Sequence, residues 1–361
     1  MKILHIAPIG HHSEGIGSVL RKLYPIQVGL GNDVRIITVY ENKIYSGWPI
    51  ESIKSKTEFL DYICKWLPDI VIFHSHFHIE YIRFAKILKK MNVPYCVQLH
   101  GALSKSNYKK NHFKKYIAGL LFFNSVLKGA DRIIYLNKAE YDNSIVPRLN
   151  PHYAIIPNGC DLPNDLAISR PENKPIEIVF IGRIRTNHKG LDILIPAIRK
   201  VEKECNNRIH FSFYGNEDDV DIDYLKEELQ TVGIANYCGS AYGEQKEIIL
   251  RNADLFILTS RYEGMPMGVL EAWSYGVPCI LTEGTNMTGK DISKDAYWKC
   301  ELSSDDICRT VILAVDQYIK DPLLYRMAAV QEAKKYDWAT IASNSIRTFN
   351  AILHNMANNG K

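Results

Sequence analysis

Residues 252–287, NADLFILTSRYEGMPMGVLEAWSYGVPCILTEGTNM, constrain the fold more than any other stretch of the chain. Leu255-Phe256-Ile257-Leu258 is a continuous apolar run ending in Thr259-Ser260, the pattern of a strand buried on both faces of a parallel sheet. Gly264-Met265-Pro266-Met267-Gly268 reads as a turn in which the proline opens a helix, since its missing N–H is one of those left unpaired there. Leu270-Glu271-Ala272-Trp273 continues that helix, Gly276 closes it, and residues 277–281 form the next strand. Such a strand–turn–helix aims backbone N–H groups at the carboxyl edge of a sheet, which suits a phosphate. Glu263 lies in the turn and Glu271 about one helical turn into the helix. Like charges repel, so these carboxylates suit the donor hydroxyls of a sugar better than the phosphate itself. The plainer alternatives are that Glu271 complements the positive helix start and that Glu263 is a solvated turn residue.

The rest of the chain repeats the alternation. Strands are expected at 2–7, 33–40, 69–73, 95–99, 131–136 and 153–156, and helices at 19–29, 57–66, 79–91 and along a stretch running to 128. A Pro- and Asn-bearing segment from Pro157 to Pro175 follows as a linker. A second series then opens with a strand at 177–181 and a helix at 191–204. This order predicts an α/β protein with parallel, doubly wound sheets. A chain of 361 residues is long for one core. Residues 1–165 are expected to form one domain and 166–337 another, with a final helix at 338–361 long enough to cross back to the first.

Charge is uneven. Residues 1–168 carry 21 Lys+Arg against 13 Asp+Glu, a balance of +8, and the remainder carries 23 against 27, or −4. A basic first half suits an anionic partner or a membrane surface, and a chance surface bias gives the same numbers. The 8 cysteines form no C-x-x-C pair and read as small buried hydrophobes in a reducing compartment. The N-terminus reads as a strand, and no apolar run approaches the ~20 residues of a membrane span. The expected location is cytoplasmic, with the inner face of the cell membrane as an option.

Residues 10–18 form an expected loop carrying Gly15 and Gly17. Its G-x4-G-x-G spacing is not the dinucleotide fingerprint; the glycines either admit a ligand close to the backbone or simply make the turn. His74, His76 and His78 have the alternation of a metal site, but they fall past the expected strand end without a fourth ligand, and no metal is expected. His100 ends a strand before Gly101, at the edge where ligands bind. The basic–aromatic stretch 108–123 is a candidate peripheral membrane contact, with a solvated helix face as the alternative; nothing points to nucleic acid. Arg183 and Lys189 flank the loop after the first strand of the second series, placed to hold a pyrophosphate from both sides. The acidic run 216–223 reads as a solvated loop with helix-capping residues.

Taken together, the Glu263–Glu271 pair with Gly276-Val277-Pro278, Gly182-Arg183 with Lys189-Gly190, Pro157-Asn158-Gly159 with Asp161, and Leu99-His100-Gly101 resemble the retaining glycosyltransferases of family 4. That resemblance implies the GT-B fold: two Rossmann-like domains facing across a cleft, with the C-terminal helix returning to the N-terminal domain. It also implies transfer of a sugar from a UDP- or GDP-linked donor to a glycan or lipid-linked acceptor, in bacterial surface polysaccharide synthesis, with retention and without a cofactor. On the same basis, Glu263, His100, Arg183 and Lys189 are the expected catalytic residues. Gly15, Gly17, Asn158, Met267, Gly268, Val269, Glu271 and Thr285 are the expected donor-binding residues. The chain departs from the family in its first loop, where many members carry adjacent glycines and this chain has Glu14-Gly15-Ile16-Gly17. Two other readings are a nucleotide-sugar epimerase, which should carry further acid/base carboxylates in the first domain, and a non-catalytic nucleotide- or sugar-binding partner subunit.

Overall fold

The computed structural model describes residues 1–9, 14–40, 49–75, 78–103, 123–165, 174–205 and 208–359. The chain divides into two compact units, Met1–Asn158 with Trp338–Lys361, and Gly159–Asp337.

Unit 1 runs β1 (Lys2–Ala7), α1 (Glu14–Gly29), β2 (Asp33–Thr38), β3 (Ile50–Ser52), α2 (Lys56–Lys65), β4 (Ile70–His74) and α3 (Ile79–Lys90). It continues through β5 (Tyr95–Gln98), α4 (Asn124–Gly129), β6 (Arg132–Tyr135), α5 (Lys138–Asn143) and β7 (Tyr153–Ile155). Unit 2 comprises β8 (Ile176–Ile181), α6 (Thr186–Lys189), α7 (Leu191–Cys205), β9 (Ile209–Tyr214), α8 (Ile222–Leu229), β10 (Ala235–Tyr237) and α9 (Gly243–Asn252). It closes with β11 (Leu255–Leu258), α10 (Met267–Ser274), β12 (Cys279–Thr282), β13 (Tyr297–Cys300), α11 (Ser304–Lys320) and α12 (Pro322–Lys334). The last helix, α13 (Trp338–Asn359), belongs to unit 1.

Among the described residues the first sheet has the order β3-β2-β1-β4-β5-β6-β7 and the second β10-β9-β8-β11-β12-β13. The strand pairs are parallel, as the doubly wound reading requires. Strand order reverses between β1 and β4 in one sheet and between β8 and β11 in the other. Those are the places where α/β sheets open a crevice at their carboxyl edge.

The inner strands of unit 1 split their side chains between two helical layers. Leu4, Ile6, Val71 and Phe73 pack with Phe59 of α2 and Phe84 of α3. Ile3, Ile70, Ile72 and Ile134 pack with Ile341, Phe349 and Ile352 of α13. The final helix therefore covers the face of the first sheet that α2 and α3 leave open, which is why it returns to unit 1.

Two local expectations change. Residues 14–18 are helix, not loop, so Gly15 and Gly17 occupy the first turns of α1. Ile16 packs with Leu20, Ala7 and Ile36, and this burial extends the helix toward its start despite two glycines that each disfavour it by about 1 kcal/mol. His74 is the last residue of β4 and is fully buried, not past the strand end. His78 precedes α3 as its N-cap, while His76 lies outside the described residues. So do residues 10–13 of the expected glycine loop and, apart from Phe123, the basic–aromatic stretch 108–123. Among the described residues no helix is long and apolar enough to cross a membrane. Five cysteines are buried, Cys205 is intermediate, and Cys64 and Cys238 are exposed.

Candidate functional site

The loops after β8 and β11 meet where the strand order of the second sheet reverses. Thr259 Oγ1 donates to the Lys189 carbonyl at 3.0 Å, and the Arg261 N–H donates to the His188 carbonyl at 2.9 Å. The Arg261 guanidinium grips Asp192 of α7 in a bidentate pair, both bonds 2.7 Å, and donates to the Asn187 carbonyl at 2.6 Å. A planar fork of this kind fixes geometry as well as charge. Gly190 completes the seam at φ +69°, where a Cβ would lie 2.2 Å from the Thr259 carbonyl oxygen.

The seam holds Lys189 against Glu263. Their Nζ and Oε1 atoms are 2.6 Å apart, with side chains 11% and 12% exposed. Ser260 Oγ donates to the same oxygen at 2.7 Å. His188 Nε2 donates to the Tyr262 carbonyl at 2.7 Å, its ring stacked on Tyr262 and 3.7 Å from Glu263. Burial pushes the Glu263 carboxyl up, but Lys189, His188 and the Ser260 hydroxyl outweigh it and hold the group below its ordinary value. Glu263 is therefore a carboxylate, able to accept from a ligand hydroxyl.

Helix α10 starts beside this pair. Pro266 is its N-cap and supplies no side-chain hydrogen bond, so among the described residues Met267, Gly268 and Val269 form a first turn that their N-cap side chain leaves uncapped. A Cβ on Gly268 would lie 3.1 Å from the Phe256 ring and 3.3 Å from the Ile181 carbonyl, so the glycine lets the helix start sit close on β8 and β11. Glu271 follows one turn later and pairs with Lys246 of α9 as an ion pair without hydrogen-bond alignment. Arg183 is exposed just past β8. Thr285 is fully buried beyond β12, its hydroxyl donating to the Thr282 carbonyl at 2.7 Å, and the neighbouring Asn286 amide donates to the Glu263 carbonyl at 2.6 Å.

The fold thus gathers Arg183, Lys189, Glu263, Met267–Val269, Glu271 and Thr285 on adjoining loops and one helix start of unit 2. His100, Gly15, Gly17 and Asn158 belong to unit 1. His100 follows β5 in a left-handed conformation, φ +51°, and Asn158 is buried.

Several supports went unread in the sequence. Asp219 Oδ2 accepts from the Ile184 N–H and Asp221 Oδ2 from the Thr186 N–H, both at 2.6 Å. The acidic run is thereby tied to the loop that carries Arg183, instead of being simply solvated. Ser260, Asn286 and the Arg261–Asp192 fork likewise find their partners only in the fold. The i+3 spacing of Ser260 and Glu263 is the one signal that was available locally.

Gly190→Ala is expected to destabilise unit 2 by about 3 kcal/mol, combining a left-handed alanine with overpacking against backbone. A lower urea midpoint at unchanged slope would report it. Gly15→Ala is the opposite case. Among the described residues nothing lies within 4 Å of its Cβ and the site is helical, so it should stabilise by up to about 1 kcal/mol.

Residues 175–307 match the family model described as glycosyl transferases group 1. Mannosylfructose-phosphate synthase of Agrobacterium fabrum is 29% identical over 174 residues, covering 46% of this chain and 38% of that protein. An uncharacterized glycosyltransferase of Methanocaldococcus jannaschii is 25% identical over 188 residues, covering 50% of this chain and 46% of the relative. The chain thus spans less than half the length of these relatives. Among solved structures, the lipopolysaccharide outer core galactosyltransferase WaaB in its apo form superposes with a TM-score of 0.72 at 15% identity, covering 99% and 100% of the two chains. Anabaena HepE in complex with UDP and glucose superposes at 0.70 and 15% identity, covering 97% and 100%. These likenesses establish the fold as GT-B.

Proposed function

We propose that the chain, whose residues 175–307 match the glycosyl transferases group 1 model, moves a sugar from a UDP- or GDP-linked donor to a glycan or lipid-linked acceptor, with retention of anomeric configuration. The observation that carries this reading is the buried Lys189–Glu263 pair set beside the uncapped first turn of α10.

Each group has a chemical task. The donor diphosphate lies at the start of α10, where backbone N–H groups and the helix dipole favour negative charge. Arg183 and Lys189 neutralise it from the side of β8. Glu263 accepts hydrogen bonds from hydroxyls of the donor sugar, and Glu271 anchors the ribose. In the reaction the bond from the anomeric carbon to the diphosphate breaks and a bond from that carbon to the acceptor oxygen forms. The acceptor proton passes to the departing phosphate oxygen, so no protein base is required. The two cations and the helix start stabilise charge as it develops on the leaving group.

Transfer is proposed to need no metal. Activity should persist in EDTA, and strict dependence on an added divalent ion would overturn metal independence. A role in bacterial surface polysaccharide synthesis, at the inner face of the cell membrane, belongs to the same proposal. Anionic liposome flotation with Lys109, Lys110, Lys114 and Lys115 replaced by alanine tests the membrane contact.

The deciding experiment is calorimetric titration with UDP, GDP and ADP and their glucose conjugates, followed by NMR of the product's anomeric configuration. Binding of one uridine or guanosine donor and a retained product are expected. Inversion, or no binding of any nucleotide, would sink the reading. Glu271→Ala should weaken donor binding ~10-fold, the loss of a charge-assisted hydrogen bond, while kcat stays nearly unchanged.

A further inference from the structure

A chain of buried side chains crosses unit 1 and ends at His100. Ser345 Oγ on α13 donates to the Ala342 carbonyl at 2.7 Å, so its oxygen remains an acceptor for Gln27 Nε2 at 3.1 Å. Gln27 Oε1 therefore faces His5, 3.0 Å from Nε2. His5 Nδ1 lies 2.9 Å from His74 Nε2, and His74 Nδ1 lies 2.9 Å from His100 Nε2. Ser345, Gln27, His5 and His74 are all at most 1% exposed, while His100 is the partly exposed end.

The proton order follows link by link. Gln27 Oε1 can only accept, so His5 carries its proton on Nε2 and its Nδ1 must accept. His74 then carries its proton on Nε2 and accepts at Nδ1. His100 in turn carries its proton on Nε2, leaving a lone pair on Nδ1. Reversing every bond would turn the Ser345 hydroxyl toward Gln27 and sacrifice its bond to the Ala342 carbonyl, so the hydroxyl sets one direction. Burial depresses all three imidazoles, His5 and His100 to about 4, and a neutral chain is what this order needs.

The backbone at His100 is also held. His100 and Gly101 are both left-handed, at φ +51° and +79°. The buried Glu140 carboxylate accepts from the Gly101 and Leu136 N–H groups at 2.5 Å each. A histidine in this conformation costs about 1–2 kcal/mol and persists only where its surroundings over-determine it.

We propose that Ser345, Gln27, His5 and His74 are positioning residues that lock His100 in its Nε2–H tautomer, so that Nδ1 accepts a hydrogen bond from a ligand hydroxyl. A phosphate or carboxylate oxygen, an acceptor itself, is refused at that atom. Identifying the hydroxyl as a sugar's rests on the proposed glycosyl transfer, but the tautomer order does not.

The test is two-bond proton–nitrogen NMR on the full chain labelled with 15N-histidine at pH 7, with His5→Gln, His74→Gln and His100→Gln variants for assignment. His100 is expected as one neutral tautomer, Nδ1 unprotonated and Nε2 protonated. Gln27→Met should convert that signal to averaged or mixed tautomers while His210 of unit 2 stays unchanged. A wild-type His100 protonated on Nδ1, or a single Nε2–H tautomer surviving Gln27→Met, overturns the proposal. A chain showing the expected tautomers but binding no nucleotide sugar would sink the proposed transfer alone.

Discussion

Replacing Lys189 with alanine is expected to abolish transfer and to weaken unit 2. Two effects combine. The leaving diphosphate loses a preorganised cation, a change worth about 10²–10³ in kcat. Glu263 also loses the partner that sits 2.6 Å away in a nearly closed pocket. An unpaired buried carboxylate destabilises by about 3 kcal/mol. The second effect has a pH signature. In the native chain Glu263 is held below its ordinary value, so its contribution to stability is present above about pH 4.5 and is lost as pH falls further. Without Lys189, burial dominates and the carboxyl rises. The native variant then keeps a proton that the unfolded chain has lost, and its stability falls as pH rises through that window. Denaturant titrations at pH 5 and 7 separate the two cases. Lys189→Ala with Glu263→Gln should recover stability without activity, since no buried charge is left unpaired. Near-native transfer by Lys189→Ala would remove this residue from the site.

Much of this arrangement is legible in the sequence because it depends on near neighbours. The run 255–258, the Pro266 turn and the spacing of Glu263 and Glu271 define a strand, a loop and a helix within a short stretch, and the strand–helix alternation fixes parallel sheets. What stays hidden depends on pairs that only the fold creates. Arg261 and Asp192 are 69 positions apart, as are His5 and His74. The alternation of His74, His76 and His78 points to one strand end, whereas the partners of His74 are His5 on β1 and His100 just past β5. Gly15 and Gly17 misled in the other direction. Local propensity favours a turn there, but the burial of Ile16 against Leu20 and Ala7 extends the helix.

Mild acid should unfold unit 1 well before any carboxylate chemistry explains it. His5, depressed from 6.5 to about 4 by burial, takes no proton in the native chain over that interval, while the unfolded chain does. Stability therefore falls as pH drops from 6.5 toward 4, by about 3 kcal/mol for this imidazole alone. Burial also holds His74 well below its ordinary value and His100 at about 4, so the same sign applies to both. Glu140 opposes them. Burial lifts it to about 7 against its two backbone N–H bonds, so below pH 7 its protonation stabilises the native state down to about 4.5. Among these four groups, three imidazoles against one carboxyl contribute a net uptake of about two protons on unfolding near pH 5.5, to which His78, also lowered by burial, adds in the same direction. The slope of unfolding free energy against pH measures that number. Replacing His5 with glutamine, which does not titrate, should reduce it by about one, whereas Glu140→Gln should increase it. A stability that is flat between pH 7 and 5 would mean that water or an ion reaches the imidazoles, and the neutral relay ending at His100 would then fail with it.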